Sequence, residues 1–109
     1  MGTHVIGSLL YAWGAIVYSP STRRYAWSYK YHTEAEAEAA ARTALPERDT
    51  FVAVVAYNGY IALALAGDGG WGAGWDAKAN TAAQKALNAC PGASRSLAII
   101  LHTFRGPGS

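Results

Sequence analysis

This chain runs through one pattern twice. From Trp13 to Asn58 the residues read as a hairpin, an alanine-rich helix and an apolar strand, and from Gly59 to Phe104 they read the same way again. Trp27-Ser28-Tyr29-Lys30-Tyr31 matches Trp71-Gly72-Ala73-Gly74-Trp75, aromatic on aromatic at both ends. The alanine run ending Ala44-Leu45-Pro46 matches the one ending Ala89-Cys90-Pro91. Phe51-Val52-Ala53-Val54-Val55 then matches Leu97-Ala98-Ile99-Ile100-Leu101. A pattern repeated in this way predicts two similar units sharing one core about a pseudo-twofold axis. It constrains architecture and leaves chemistry open.

Local signals fill in the elements. Trp13 to Ser19 reads as a strand, and Pro20-Ser21-Thr22-Arg23 supplies turn residues. In Arg24 to Tyr31 the aromatics Tyr25, Trp27, Tyr29 and Tyr31 fall on one face, with Arg24, Ala26, Ser28 and Lys30 on the other. Thr33-Glu34-Ala35-Glu36 is a capping box, and the early glutamates complement the positive end of a helix dipole. That helix presents Ala37, Ala40, Ala41, Ala44 and Leu45 as its buried stripe, lets Glu38 pair with Arg42, and stops at Pro46. Phe51 to Tyr57 is apolar and uncharged, which suggests a central strand. Asn58-Gly59 is a strong two-residue hairpin signal, because both residues tolerate positive φ. In Tyr60 to Ala66, Ile61, Leu63 and Leu65 face one way and Ala62, Ala64 and Ala66 the other. Gly67-Asp68-Gly69-Gly70 turns the chain into Trp71 to Trp75. Asp76 is expected to cap a second helix with stripe Ala79, Ala82, Ala83, Ala86 and Cys90, ended by Pro91-Gly92. Leu97 to Phe104 forms the last strand.

The expected fold is therefore α+β: duplicated β-β-α-β units forming a mainly antiparallel six-stranded sheet with two alanine-rich helices. Alanine stripes permit close helix–sheet approach, so both helices are expected on the alanine-rich face. The larger residues of the other face must then find cover or be exposed and functional. The single domain divides into an N-terminal extension (1–12), a first repeat (13–58), a second repeat (59–104) and a frayed tail (105–109).

Composition bounds the function. A chain of 109 residues supports one hydrophobic core. With 51% hydrophobic and 15% charged residues it is globular rather than disordered. A net charge of +2 from scattered Lys and Arg gives no concentrated basic face, so no nucleic-acid partner is expected. No segment has the ~20 apolar residues of a membrane span. The start lacks the basic residues and long apolar run of a secretory signal. One cysteine, Cys90, excludes an internal disulfide and a multi-thiolate zinc site, and a free thiol fits a reducing compartment. No cofactor is implied.

Trp13-Gly14-Ala15-Ile16-Val17-Tyr18-Ser19-Pro20 and Gly69-Gly70-Trp71-Gly72-Ala73-Gly74-Trp75, with the alanine-rich helices between and after them, resemble a bacterial domain-of-unknown-function family, the one numbered four-one-eight-nine. The resemblance runs from Trp13 to Leu101. It implies a duplicated ββα-type fold and, for some members, export or an effector role, and it brings no established catalytic residues. Where family members commonly carry cysteines this chain has Leu45, Thr50 and Tyr60, and the expected partner position of Cys90 is Ser96. Location thus points two ways: the single cysteine and the start toward the cytoplasm, the resemblance toward secretion.

Candidate sites follow from residue type. Tyr25, Trp27, Tyr29 and Tyr31, joined by Trp13, Trp71 and Trp75, could form a recognition surface, since Tyr and Trp offer rigid contact area with a polar tip. The competing reading makes them the core of the sheet's second face. Gly72 and Gly74 leave the face opposite Trp71 and Trp75 bare for close approach of a backbone, ring or ligand. Gly67-Asp68-Gly69-Gly70 leads into a strand rather than a helix and holds one carboxylate, so it reads as a turn rather than an anion or calcium loop. His4, His32 and His102 are far apart in sequence, and no nucleophile pattern accompanies them. Cys90 with His102 is the only thiol option, and a helix C-terminus raises a thiol pKa. The chain is therefore expected to be a non-enzymatic binding module, an effector or immunity-type partner, for which a protein partner or homodimer is favoured over a small molecule. A small-ligand binder or enzyme with an aromatic pocket between the repeats is the alternative, and a structural envelope protein without a discrete site the blander one.

Overall fold

The computed structural model describes residues 10–108, so His4 and most of the N-terminal extension lie outside the described residues. The elements run β1 (Trp13–Ser19), β2 (Arg24–Tyr31), α1 (Glu34–Ala44), β3 (Phe51–Tyr57), β4 (Tyr60–Leu65), β5 (Trp71–Asp76), α2 (Ala79–Ala89), β6 (Ser96–His102) and β7 (Gly106–Pro107). The fold is α+β, but the single six-stranded sheet is replaced by two antiparallel sheets, ordered β2-β1-β3 and β5-β4-β6-β7. The sheets lie face to face, and each carries one helix on its outer face.

Side-chain volume explains the split. The face of β4 bearing Ala62 and Ala64, with Ala66 just beyond it, meets Ala82, Ala86 and Cys90 of the second helix segment. In the first sheet Ala15, Val17 and Ala26 meet Ala37, Ala41 and Leu45. The opposite faces carry Ile16, Tyr18, Ile61, Leu63 and Leu101, all essentially inaccessible to water. One continuous sheet would leave those side chains facing solvent, at ~25 cal/mol for every Å² of apolar surface not buried. Folding the three-stranded sheet onto the four-stranded one covers both large-residue faces at once. The cover that the sequence demanded for these residues is the other sheet.

The change of sheet occurs at Asn58-Gly59. Asn58 takes the expected left-handed conformation (φ 50°). Yet β3 pairs with β1, and β4 with β5 and β6, so the dipeptide hands the chain across the sandwich instead of closing a hairpin. Thr103 fastens this crossing. Its N–H donates to the Gly59 carbonyl at 2.8 Å, its Oγ1 accepts from the Gly59 N–H at 3.0 Å, and its carbonyl accepts from the Lys30 N–H at 2.8 Å.

Thr33 caps α1 as expected, accepting from the Glu36 N–H at 3.1 Å. Ala37 and Ala41 are its buried residues, whereas Ala44 is exposed. Arg42 donates to the Thr50 carbonyl at 3.1 Å. Asp76 does not cap α2. It ends β5, the N-cap position belongs to Lys78, and the Asp76 carboxylate accepts from the Lys78 N–H at 3.1 Å just before the helix. The last long strand stops at His102 rather than Phe104, and the tail is not frayed: Gly106 and Pro107 pair with His102 and Leu101 as β7.

Gly72 and Gly74 set the depth at which α2 packs. A Cβ on Gly72 would stand 2.5 Å from the Cys90 nitrogen, and one on Gly74 2.6 Å from the Lys85 Cβ. The bare face read from the sequence is thus occupied by the helix backbone. Ala26 and Ser28 take the corresponding role against α1, where the Ser28 hydroxyl donates to the Ala37 carbonyl at 2.6 Å.

Candidate functional site

The aromatic row of β2 does not stay on one face. Trp13 lies opposite Tyr31 and Ala15 opposite Ser28, so β2 carries one residue more than β1 across this stretch. Lys30 takes up the extra residue in the left-handed region (φ 65°). A bulge reverses the alternation that follows it. Ser28, opposite Ala15, faces α1, so Tyr31 joins Trp13 on the helix side, while Tyr25, Trp27 and Tyr29 face the other sheet. No period-two reading could show this.

Of these rings, Tyr25 is structural: it joins the inter-sheet core and its hydroxyl donates to the Ala98 carbonyl at 3.0 Å. Trp71 is structural too, with ring centroids 5.0 Å from Phe51 and 6.0 Å from Tyr18. Trp27, Tyr29 and Tyr31 remain well exposed, and Trp75 is the most exposed of the large rings at 58%. The proposed row therefore divides into core rings, Tyr25 and Trp71, and surface rings.

Trp13 and Trp75, distant in sequence, are brought together. With Glu34, Val55, Ala56 and Tyr57 they line an open pocket of about 370 Å³ at the end of β3. The rings of Trp13 and Tyr57 are tilted against each other with centroids 5.4 Å apart. Trp13 and Val55 belong to the helix side of the first sheet, whereas Trp75, opposite Ile61, and Ala56 face the inter-sheet layer. The pocket thus wraps around the edge of β3. Among the described residues β3 has a strand neighbour on one side only, β1. Lys85 fixes Trp75 from behind: its Nζ lies 5.6 Å from the ring centroid, 3.3 Å from the Trp75 carbonyl and 3.0 Å from the Asp76 carboxylate. The lysine and the adjacent Lys78 N–H hold the Asp76 pKa below the ordinary carboxylate value, the backbone N–H being the larger influence.

Glu34, Val55, Ala56 and Tyr57 are site residues that sequence reasoning passed over. The signal for Tyr57 was indirect: it is the residue opposite Trp13, visible only once β1 and β3 are known to pair.

The remaining candidates behave as structural groups. The Gly67-to-Gly70 turn is closed by Ala66 N–H to Gly70 carbonyl at 2.8 Å, and the Asp68 carboxylate accepts from the Ala93 N–H at 3.2 Å. Cys90 is buried among alanines beside Ala66, at one end of β4. His102 lies opposite Tyr60, at the other end. About six residues of strand at ~3.3 Å each keep thiol and imidazole apart. The His32 ring is tilted against that of Tyr11 with centroids 4.8 Å apart. The His102 Nδ1 accepts from the Phe104 N–H at 3.1 Å, and burial, helped by the Arg105 charge, pushes its pKa down. Glu38 is shifted up, by burial first and then by Glu34 beside it. Among the described residues no group of three or more His, Cys, Asp or Glu side chains gathers in metal-binding geometry.

The family model for a domain of unknown function, DUF4189, matches residues 13–104 of the chain. No curated protein and no solved structure matches it. Among the described residues no helix is long and apolar enough to cross a membrane.

Proposed function

Because the chain belongs to the DUF4189 family, whose description assigns no activity, we propose its role from geometry: it is a binding module that holds a protein partner at the end of β3. One observation carries the reading, the open aromatic pocket of Trp13, Tyr57 and Trp75 wrapped around a strand edge. A strand edge offers main-chain hydrogen bonds to an extended segment, and flanking pockets offer side-chain selection. Exposed tryptophan and tyrosine are the residues that most often dominate such contacts. Trp27 and Tyr29 on the β2 edge form a second exposed aromatic area that a larger partner can also cover. An effector or immunity-type protein uses a surface of this kind.

The small-ligand alternative calls for an enclosed cavity between the two units. The pocket lies between them but is open along β3, a shape suited to a polypeptide. The test is capture of partners from the native cell by the full chain, comparing wild type, Trp75→Ala and Trp27→Ala. The reading expects a partner held by wild type and lost with a folded Trp75→Ala protein. A Trp75→Ala protein that keeps every partner refutes the pocket as the binding site, and self-capture identifies a homodimer as the partner.

A further inference from the structure

The two units carry the same strand order, hairpin strand, central strand and returning strand, so each residue at the β3 edge has a counterpart at the β6 edge. Trp13 opposite Tyr57 corresponds to Tyr60 opposite His102, and both are aromatic ring pairs, at 5.4 Å and 4.8 Å. Gly14 opposite Ala56 corresponds to Ile61 opposite Leu101. Both returning strands also shift register at the matching place, between Ile16 and Val17 for β3 and between Leu63 and Ala64 for β6. Trp75, opposite Ile61, corresponds by strand register to Tyr29, which lies in the β2 bulge across from Gly14, and not to Tyr31, with which the sequence repeat aligned it; Trp71 likewise corresponds to Tyr25 rather than Trp27.

At the β6 edge the site is full. Leu101 pairs with Pro107 and His102 with Gly106, and the ring of Tyr29 closes over Gly106. A Cβ on Gly106 would stand 2.8 Å from the Tyr29 Cζ, so the ring meets that strand where it has no side chain. The counterparts of Leu101, His102, Tyr60 and Tyr29 are Ala56, Tyr57, Trp13 and Trp75. Those four residues line the open pocket at the β3 edge. The chain therefore displays, at one edge, the kind of segment that fits the pocket open among the described residues at the other.

We propose that the β3-edge pocket binds an extended Gly-Pro-containing segment of a partner protein, added antiparallel to β3 with the glycine under Trp75. The proposal rests on the binding-module reading above and gives it a ligand class. Glycine is required where a ring closes directly on the backbone, and proline has no N–H to leave unpaired on the strand's outer edge. Glu34 adds a preference. It opens α1 and lines the pocket, so this site carries a carboxylate at its rim. A basic residue beside the Gly-Pro, as Arg105 stands beside Gly106-Pro107, would meet it.

The probe is the acetylated, amidated pentapeptide Phe-Arg-Gly-Pro-Gly, the sequence of residues 104–108, titrated into the full chain and followed by amide chemical shifts. The expected result is saturable binding that moves the Val55, Ala56 and Tyr57 amides and the Trp75 indole. Phe-Arg-Ala-Ala-Gly and the Trp75→Ala protein should each bind about tenfold more weakly or less. Glu34→Gln should weaken the arginine peptide alone, leaving Phe-Gln-Gly-Pro-Gly unchanged. Absence of saturation, shifts confined to β6, or equal affinity for the Ala-Ala peptide would overturn the proposal. If a cellular partner is lost with Trp75→Ala while the Gly-Pro peptide fails to bind, the ligand class is wrong and the binding-module reading stands. A partner retained by Trp75→Ala defeats that reading itself.

Discussion

Tyr29 and Gly106 meet so closely that no side chain fits between them: a Cβ on Gly106 would lie 2.8 Å from Cζ and 2.9 Å from Cε2 of the ring. This contact joins an edge strand of one sheet, β2, to the terminal strand of the other, β7. Gly106 also holds φ at +98°, a conformation that L side chains rarely adopt. Gly106→Ala therefore meets both a steric and a backbone obstacle and should destabilise the fold by about 1–3 kcal/mol. Gly108, at φ +77°, has nothing within 4 Å of an added Cβ, so Gly108→Ala carries the backbone cost alone. Urea denaturation of the two variants should show a clearly lower midpoint for Gly106→Ala.

Thr103 ties the crossing at Gly59 to the end of β2. Thr103→Val keeps the shape against Gly14 but leaves the buried Gly59 N–H without its acceptor, which should cost about 1–3 kcal/mol. Thr103→Ser keeps that bond and should cost less. The reverse order in thermal melts would show that the methyl contact, not the hydrogen bond, fixes the crossing.

Two inter-sheet tyrosines should respond oppositely to loss of the hydroxyl. The Tyr25 hydroxyl donates to the Ala98 carbonyl, so Tyr25→Phe should lose about 1 kcal/mol. The buried Tyr18 hydroxyl has no hydrogen-bond partner among the described residues, so Tyr18→Phe should be neutral or stabilising by up to ~1 kcal/mol. Equilibrium unfolding of both variants against wild type measures the contrast.

Acid should weaken the protein in two stages. The His102 pKa is lowered in the folded state, so the unfolded chain binds the proton first, and stability falls as pH drops below about 6.5 and through the folded value. Protonating Nδ1 also removes the acceptor of the Phe104 N–H in the turn that leads to β7. Asp49 is lowered chiefly by the Ser19 hydroxyl, at 2.6 Å, and by the Ser21 N–H. Its contribution is present above about pH 3.9 and is lost as pH falls through the folded value. In melting midpoint against pH, His102→Asn should flatten the upper stage and Asp49→Asn the lower.

The parts of this fold legible in the sequence are those governed by neighbours along the chain. Thr33, Pro46 and Pro91 bounded the helices because capping and the missing proline N–H act within a turn. The split of β4 into Ile61, Leu63 and Leu65 against Ala62, Ala64 and Ala66 followed from strand geometry alone. At the candidate site, Trp13 and Trp75 stood out by residue type, but Glu34, Val55, Ala56 and Tyr57 did not, since they acquire meaning only beside residues distant in the chain. Asn58-Gly59 shows the limit clearly. The positive φ of Asn58 is a local property that the sequence shows, but Gly59 does not share it, and whether the following strand pairs with the preceding one depends on which large faces need burial.

By itself the sequence determined the helices, most of the strands and the alanine faces on which the helices rest, because propensity, capping and side-chain period are short-range. Only the tertiary structure decided that the sheet is two sheets, that the Lys30 bulge turns Tyr31 away from its row, and that Gly106-Pro107 fills one strand edge while, among the described residues, an aromatic pocket is open at the other. Those outcomes are settled by the burial of Ile16, Tyr18, Ile61, Leu63 and Leu101 against each other, a competition among surfaces that no single stretch of chain contains.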